Sequence, residues 1–122
     1  MIDGFRVVGG AVSGTVNAGF FLTSSNPTIS NNVIVGGSAG TPYGIRSDSS
    51  SPVISGNTIS GGSTAALSSS SFGIHCIAGA PQISGNTISG GVAFNTNGIS
   101  IVSGSAASIT GNNIRGGTGT IN

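Results

Sequence analysis

The chain has 122 residues, enough for one domain, and very little charge: Arg6, Arg46 and Arg115 stand against Asp3 and Asp48, for a formal net charge of +1. No basic stripe exists to hold a phosphate backbone, so nucleic acid is not an expected partner. No apolar run approaches the roughly 20 residues of a membrane helix, and Met1 leads straight into patterned sequence, so neither a membrane span nor a signal peptide is expected.

Taken in order, the chain repeats one unit about five times. IDGFRVVGG at Ile2 to Gly10 is the outline form, followed by PTISNNVIVGG at Pro27 to Gly37 and PVISGNTISGG at Pro52 to Gly62. PQISGNTISGG at Pro81 to Gly91 and ASITGNNIRGG at Ala107 to Gly117 complete the series. The first Ile of each unit falls at Ile2, Ile29, Ile54, Ile83 and Ile109, giving spacings of 27, 25, 29 and 26 residues. A second landmark, Gly before an apolar residue, recurs at Gly19, Gly44, Gly73 and Gly98. From it to the next unit's Ile the distances are 10, 10, 10 and 11; from the preceding GG pair to it they are 9, 7, 11 and 7. Nearly all the length variation therefore sits in one connection. Fixed-period self-similarity marks a repeat architecture, whose units bury their apolar faces only by stacking on one another.

Within the constant part the apolar residues alternate with period two, which specifies strands with one buried face, while the many Gly residues exclude helix. The expected fold is all-β: a right-handed, single-stranded parallel β-helix of about five coils of 25–29 residues, with three short strands per coil. The hand follows because parallel crossovers are right-handed in roughly 98% of cases. Each strand pairs with its equivalent one coil away, roughly 4.8 Å along the axis. Inward columns should be Ile2, Ile29, Ile54, Ile83, Ile109; Val7, Ile34, Ile59, Ile88, Ile114; and Phe20, Ile45, Ile74, Ile99. Gly56-Asn57 and Gly85-Asn86 mark a sharp bend between two strands, where left-handed backbone is tolerated. The repeat sets Asn32, Asn57, Asn86 and Asn112 in one column, able to hydrogen-bond along it, with Phe5 in their place in coil one. Three variable loops, Ser38 to Tyr43, Ser63 to Phe72 and Val92 to Asn97, are expected to project from one edge.

The run IDGFRVVGG followed by ISGNTISGG and SSPVIS resembles the right-handed parallel β-helix repeats of the pectin-lyase-like superfold, especially Asn- and Ser-rich bacterial surface or secreted proteins. The resemblance covers nearly all of the chain. It implies the fold and an extracellular or cell-surface location; that superfold hosts lyases, hydrolases, tailspikes, adhesins and inert spacers, so it implies no single activity.

Chemistry-bearing residues are few. Cys76 lies two residues after inward Ile74 and should be buried as a small hydrophobe, with His75 on the opposite face of the strand. Aligning Ile45 with Ile74 sets Arg46 over His75, with Asp48 two residues along the same face. These three are the catalytic candidates for acid–base chemistry, weighed against an ion pair that merely solvates a sheet face; the other carboxylate, Asp3, is two coils away, and no catalytic site is assigned. Tyr43 and Phe72 precede equivalent Gly residues in successive loops and are the binding candidates, either as loop packing or as a sugar platform. No metal site and no cofactor are expected.

Three function classes follow: a non-enzymatic structural or binding module of a surface, secreted or fibre-forming protein; a polysaccharide-binding or polysaccharide-cleaving domain; and an ice-binding solenoid. The last rests on Thr58-Ile59-Ser60 and Thr87-Ile88-Ser89, in a column that also holds Val33, Val35, Asn113 and Arg115. Neither Met1 to Arg6 nor Thr118 to Asn122 reads as a capping helix. Residues 1–122 are thus expected to be one β-helix domain, either a segment of a longer solenoid or a subunit that stacks end to end on its own copies, with glycans as a further possible partner class.

Overall fold

The computed structural model describes residues 1–13 and 16–119. Every regular element among them is a strand. The first coil holds β1 (Ile2–Asp3), β2 (Arg6–Val8) and β3 (Val16–Thr23), and the second β4 (Thr28–Ser30), β5 (Val33–Val35) and β6 (Thr41–Asp48). The third holds β7 (Val53–Ser55), β8 (Thr58–Ser60) and β9 (Ser70–Ile77). The fourth holds β10 (Gln82–Ser84), β11 (Thr87–Ser89), β12 (Val92–Ala93) and β13 (Asn95–Val102), and the last β14 (Ser108–Thr110), β15 (Asn113–Arg115) and β16 (Thr118–Gly119).

These strands pair only with their equivalents in adjacent coils, always in parallel. The first sheet runs β1-β4-β7-β10-β14, the second β2-β5-β8-β11-β15, and the third β3-β6-β9-β13. The result is a β-solenoid of about four turns. Its register is the one the Ile spacing implies: Ile29 pairs with Ile54, Ile54 with Ile83, and Ile83 with Ile109, while Ile34, Ile59, Ile88 and Ile114 pair in series on the second sheet. Phe20, Ile45, Ile74 and Ile99 do so on the third. In the middle coils these columns are sealed; Ile29, Ile45, Ile54, Ile74 and Ile83 expose 0% of their surface. Each contributes on the order of 1.5–3 kcal/mol, and only because a coil above and a coil below cover it.

Two corner devices hold the coil together. Gly56 and Gly85 take left-handed backbone, with φ of +65° and +64°, at the bend between the first and second sheets, and Asn31 takes the same conformation in coil two. The Asn that follows each of them turns inward. Asn57 Nδ2 donates to Asn86 Oδ1 at 3.0 Å and to Ile29 O at 2.9 Å, and the Asn57 backbone N–H donates to the same Asn86 Oδ1 at 2.8 Å. Asn32 and Asn86 repeat the pattern one coil along, onto Asn57 and Asn112. Asn32, Asn57 and Asn86 are buried with their amides satisfied, as buried polar groups must be. In coil one only backbone groups join the ladder, the Phe5 N–H donating to Asn32 Oδ1 and the Ile2 carbonyl accepting from Asn32 Nδ2.

Two expectations need correction. The third strand of each coil is not short: β3, β6, β9 and β13 span eight residues, because pairing continues through the Gly landmark instead of beginning at it. Tyr43 and Phe72, expected in projecting loops, therefore lie within β6 and β9 and are paired in register. The loop expected from Val92 also contains β12, which pairs with β16 in a small fourth sheet. The tail expected to lack a cap lies, beyond residue 119, outside the described residues.

Replacing Asn86 by Ala should leave the Asn57 backbone N–H without its acceptor in the interior and remove the side-chain donor to the Ile54 carbonyl. A loss of about 2–4 kcal/mol is expected in urea denaturation, against a change within about 0.5 kcal/mol for Thr87→Ala on the exposed face. Ile59→Asp should abolish the folded circular-dichroism signal, since no neighbour in the column can pair a buried carboxylate.

Candidate functional site

The outer face of the third sheet gathers most of the chain's reactive side chains. It does so because strand alternation slips at one residue. In β9 the buried residues are Ser71, Gly73, Ile74 and Cys76, so two consecutive residues face inward and the outward residues on either side, Phe72 and His75, become neighbours. Their ring centroids lie 4.8 Å apart. Gly73 permits the slip: a Cβ there would stand 2.5 Å from the Gly98 carbonyl oxygen and 2.6 Å from Ile88 Cγ2, so only glycine lets the second-sheet Ile column tuck against this backbone.

Parallel pairing then stacks one coil on the next. Tyr43 lies on Phe72 with centroids 5.3 Å apart and planes 11° from parallel, and Arg46 lies beside His75 in register. The Arg46 guanidinium sits 5.4 Å from the ring centroids of both Tyr43 and Phe21. It also forms a forked ion pair with Asp48, Nε donating at 3.0 Å to Oδ1 and one terminal nitrogen at 3.0 Å to Oδ2. The hydrogen bonds to Asp48 are the main reason its pKa is raised, and they make the guanidinium's charge structural. All five residues singled out in the sequence, Tyr43, Arg46, Asp48, Phe72 and His75, thus form one patch, joined by Phe21, which the sequence did not single out. Its signal was available, since Phe21 occupies the register position of Arg46 one coil earlier.

The patch is a ledge, not a cleft. No pocket is found among the described residues. Tyr43 is buried, one ring face against Phe72 and the guanidinium of Arg46 also against the ring, so it supports the ledge from below. Phe21 is 55% exposed and offers the ledge's open aromatic surface. Burial pushes the His75 pKa down, the Arg46 cation pushes it the same way, and Asp48 opposes them. Its Nδ1 is buried with no hydrogen-bond partner, which fits a neutral imidazole held as an aromatic spacer. The ledge does not continue into the next coil, where Ser100 and Val102 take the positions of His75 and Ile77.

Cys76, on the opposite face of β9 from His75, is buried in the core column of Ser47 and Ile101, and burial pushes its thiol up to about 11 in spite of the Ser47 hydroxyl. A thiol held so far from ionisation is neither a nucleophile nor a ready ligand. Elsewhere, Asp3 on the first sheet accepts from Ser30 Oγ at 2.7 Å and Asn31 Nδ2 at 2.8 Å, and these bonds lower its pKa. The second sheet's outer face carries Thr and Ser together only at Thr58, Ser60, Thr87 and Ser89.

Against known proteins, one family profile aligns with this coil pattern from end to end: that described as periplasmic copper-binding protein (NosD), over residues 3–121. The chain belongs to the NosD family. NosD-family proteins are right-handed parallel β-helices of the pectin-lyase-like kind, as the repeats here imply. No curated protein and no solved structure matched. The family's description names copper, which sets a test for the donors in this NosD-family chain. Among the described residues no three of His, Cys, Asp and Glu converge to hold a metal ion.

His75 is the only side chain with an ordinary pKa between pH 5 and 8, so its titration can be read in the stability of the fold. Its folded pKa lies below 6.5, so between the two values the unfolded chain binds more protons. Stability should therefore be full above pH 6.5 and fall as pH drops toward the folded pKa. Thermal melts from pH 8 to 5 should show this slope, and His75→Gln should flatten it. Native Cys76 should also resist alkylation at pH 8 and react fully in urea.

Proposed function

We propose that the chain is a non-catalytic binding module of the bacterial envelope, which takes an extended polysaccharide on the outer face of its third sheet. The observation that carries this is the concentration of side chains there. The chain's only histidine and only tyrosine, the one Arg–Asp ion pair among the described residues and two phenylalanines occupy a single ledge, while the outer faces of the other two sheets are mainly Ser, Thr, Asn and Val. A ledge without a cavity suits a polymer lying along it better than a small molecule enclosed by it. Phe21 supplies an aromatic face for a sugar ring, and the edge of the Arg46–Asp48 pair supplies donors and acceptors for hydroxyl groups.

Catalysis is disfavoured by the same geometry. Arg46 and Asp48 satisfy one another, His75 has no carboxylate to orient it as a base, and the remaining carboxylate, Asp3, sits on a different sheet. The family's description supports a periplasmic place for the module, and an outward-facing or secreted location follows the same logic of exposure to envelope polymers.

A second reading, end-to-end stacking on further coils or on copies of the chain, is favoured by the last coil. Ile109 and Ile114 are 41% and 43% exposed, although their column mates in the middle coils are sealed. Another coil in the same register would cover them, and the sparse charge puts little repulsion in its way. In a head-to-tail stack of copies, Phe5 would meet Asn112 at the ladder position, so the Asn ladder would break at each junction.

Co-sedimentation with purified envelope polysaccharides tests the first reading. The wild type should pellet with at least one of them, Phe21→Ala should weaken binding by roughly tenfold, and Thr87→Ala on the second sheet should leave it unchanged. Equal binding by both variants, or none by the wild type, rejects the ledge as the site. Light scattering over a dilution series, with electron microscopy, tests the second: concentration-dependent filaments support stacking, and a monomer at every concentration rejects it.

A further inference from the structure

We infer that this NosD-family chain has no copper site of its own: its coil has the family's form, and its donors are dispersed over faces and coils that cannot meet at one ion. Copper is held by imidazole, thiolate and thioether groups, with carboxylates as weaker partners. The whole chain offers His75, Cys76, Met1, Asp3 and Asp48, and the residues outside the described ones, Gly14, Thr15, Thr120, Ile121 and Asn122, add none.

Each donor is accounted for. His75 and Cys76 are adjacent in sequence, and strand alternation sends them to opposite faces of β9. The Cys76 sulfur is sealed in the core, where it remains a protonated thiol, whereas a metal needs the thiolate. The His75 ring has one nitrogen buried without a partner, and its nearest charged neighbour in register is the Arg46 cation, which opposes a metal ion as it opposes a proton. Both oxygens of Asp48 are engaged by Arg46. Met1 and Asp3 belong to the first coil and His75 to the third; two coil spacings put them on the order of 10 Å apart along the axis, and Asp3 and His75 lie on different sheets. What remains is a single imidazole nitrogen on the third sheet and, two coils away, the Met1 thioether and the Asp3 carboxylate, too few donors at either place to make a resident site.

The test uses the full chain and copper alone. The protein is loaded with excess Cu(II) in air, and separately with Cu(I) under anaerobic reducing conditions, then desalted and analysed for metal, with a competing copper chelator in a parallel titration. The expected result is metal content far below stoichiometric, complete transfer to the chelator, and a melting temperature that copper leaves unchanged. Stoichiometric copper that survives desalting overturns the inference, whether one ion per chain or one per pair of chains. A thiolate-to-copper absorption band, or loss of retained metal in His75→Ala, would identify the ligand responsible. Polysaccharide binding is measured separately and without copper, so failure of the ledge proposal and failure of this one are distinct results.

Discussion

No coil of this chain can bury its own apolar face. Three strands, two of them only three residues long in the middle coils, enclose too little volume to form a core, so each inward Ile is sealed only when the coils above and below present an Ile at the same level. Register is therefore the constraint on which everything else depends. A slip of one residue in any strand would turn its Ile outward and a Ser or Thr inward. The Asn ladder opposes such a slip: Asn57 and Asn86 bond both to their own coil and to the next, and a shifted coil would leave buried amides without partners.

The same constraint builds the ledge. Because equivalent residues stack in register, an outward side chain has its neighbours chosen for it by the preceding and following coils. Tyr43 meets Phe72, Arg46 meets His75 and Phe21 meets Arg46 without any loop to position them. Gly73 adds a change of phase that sets Phe72 beside His75 within one strand. The ion pair and ring contacts of the patch are largely made with one another.

Much of this was legible in the sequence, and what was not has a physical cause. Ile spacing and the GG pairs specified the coil, its columns and the pairing of Arg46 with His75, because a period-two pattern repeated at constant length leaves one register. The extent of the third strand was not legible: Gly44 and Gly73 read as strand beginnings, since glycine usually ends a strand, whereas here they are the points where a paired strand changes phase. A second left-handed corner, at Ser24, Ser49, Ala78 and Ser103, also left no mark. None of these residues favours positive φ, and the conformation is held by hydrogen bonds to the next coil, such as Ser49 N–H to Ile77 O at 2.8 Å. The ledge was visible as residues and not as a surface, because the slip that joins Phe72 to His75 depends on backbone geometry at Gly73.

Membership of a solenoid family and the chemistry of one member are written at different positions of the repeat. Inward Ile, corner Gly and ladder Asn recur in most coils and determine the coil itself. Outward residues contribute nothing to closing the coil and are free to change. In this chain they place Phe21, Arg46 and His75 in one column and Tyr43 and Phe72 in the next. A metal site on such columns would need several donors within reach of one ion, and this chain has a single imidazole flanked by an arginine and a serine. The fold is thus evidence for the geometry of the wall, with side chains stacked at fixed intervals on flat faces, and the columns themselves are evidence for what the wall can hold.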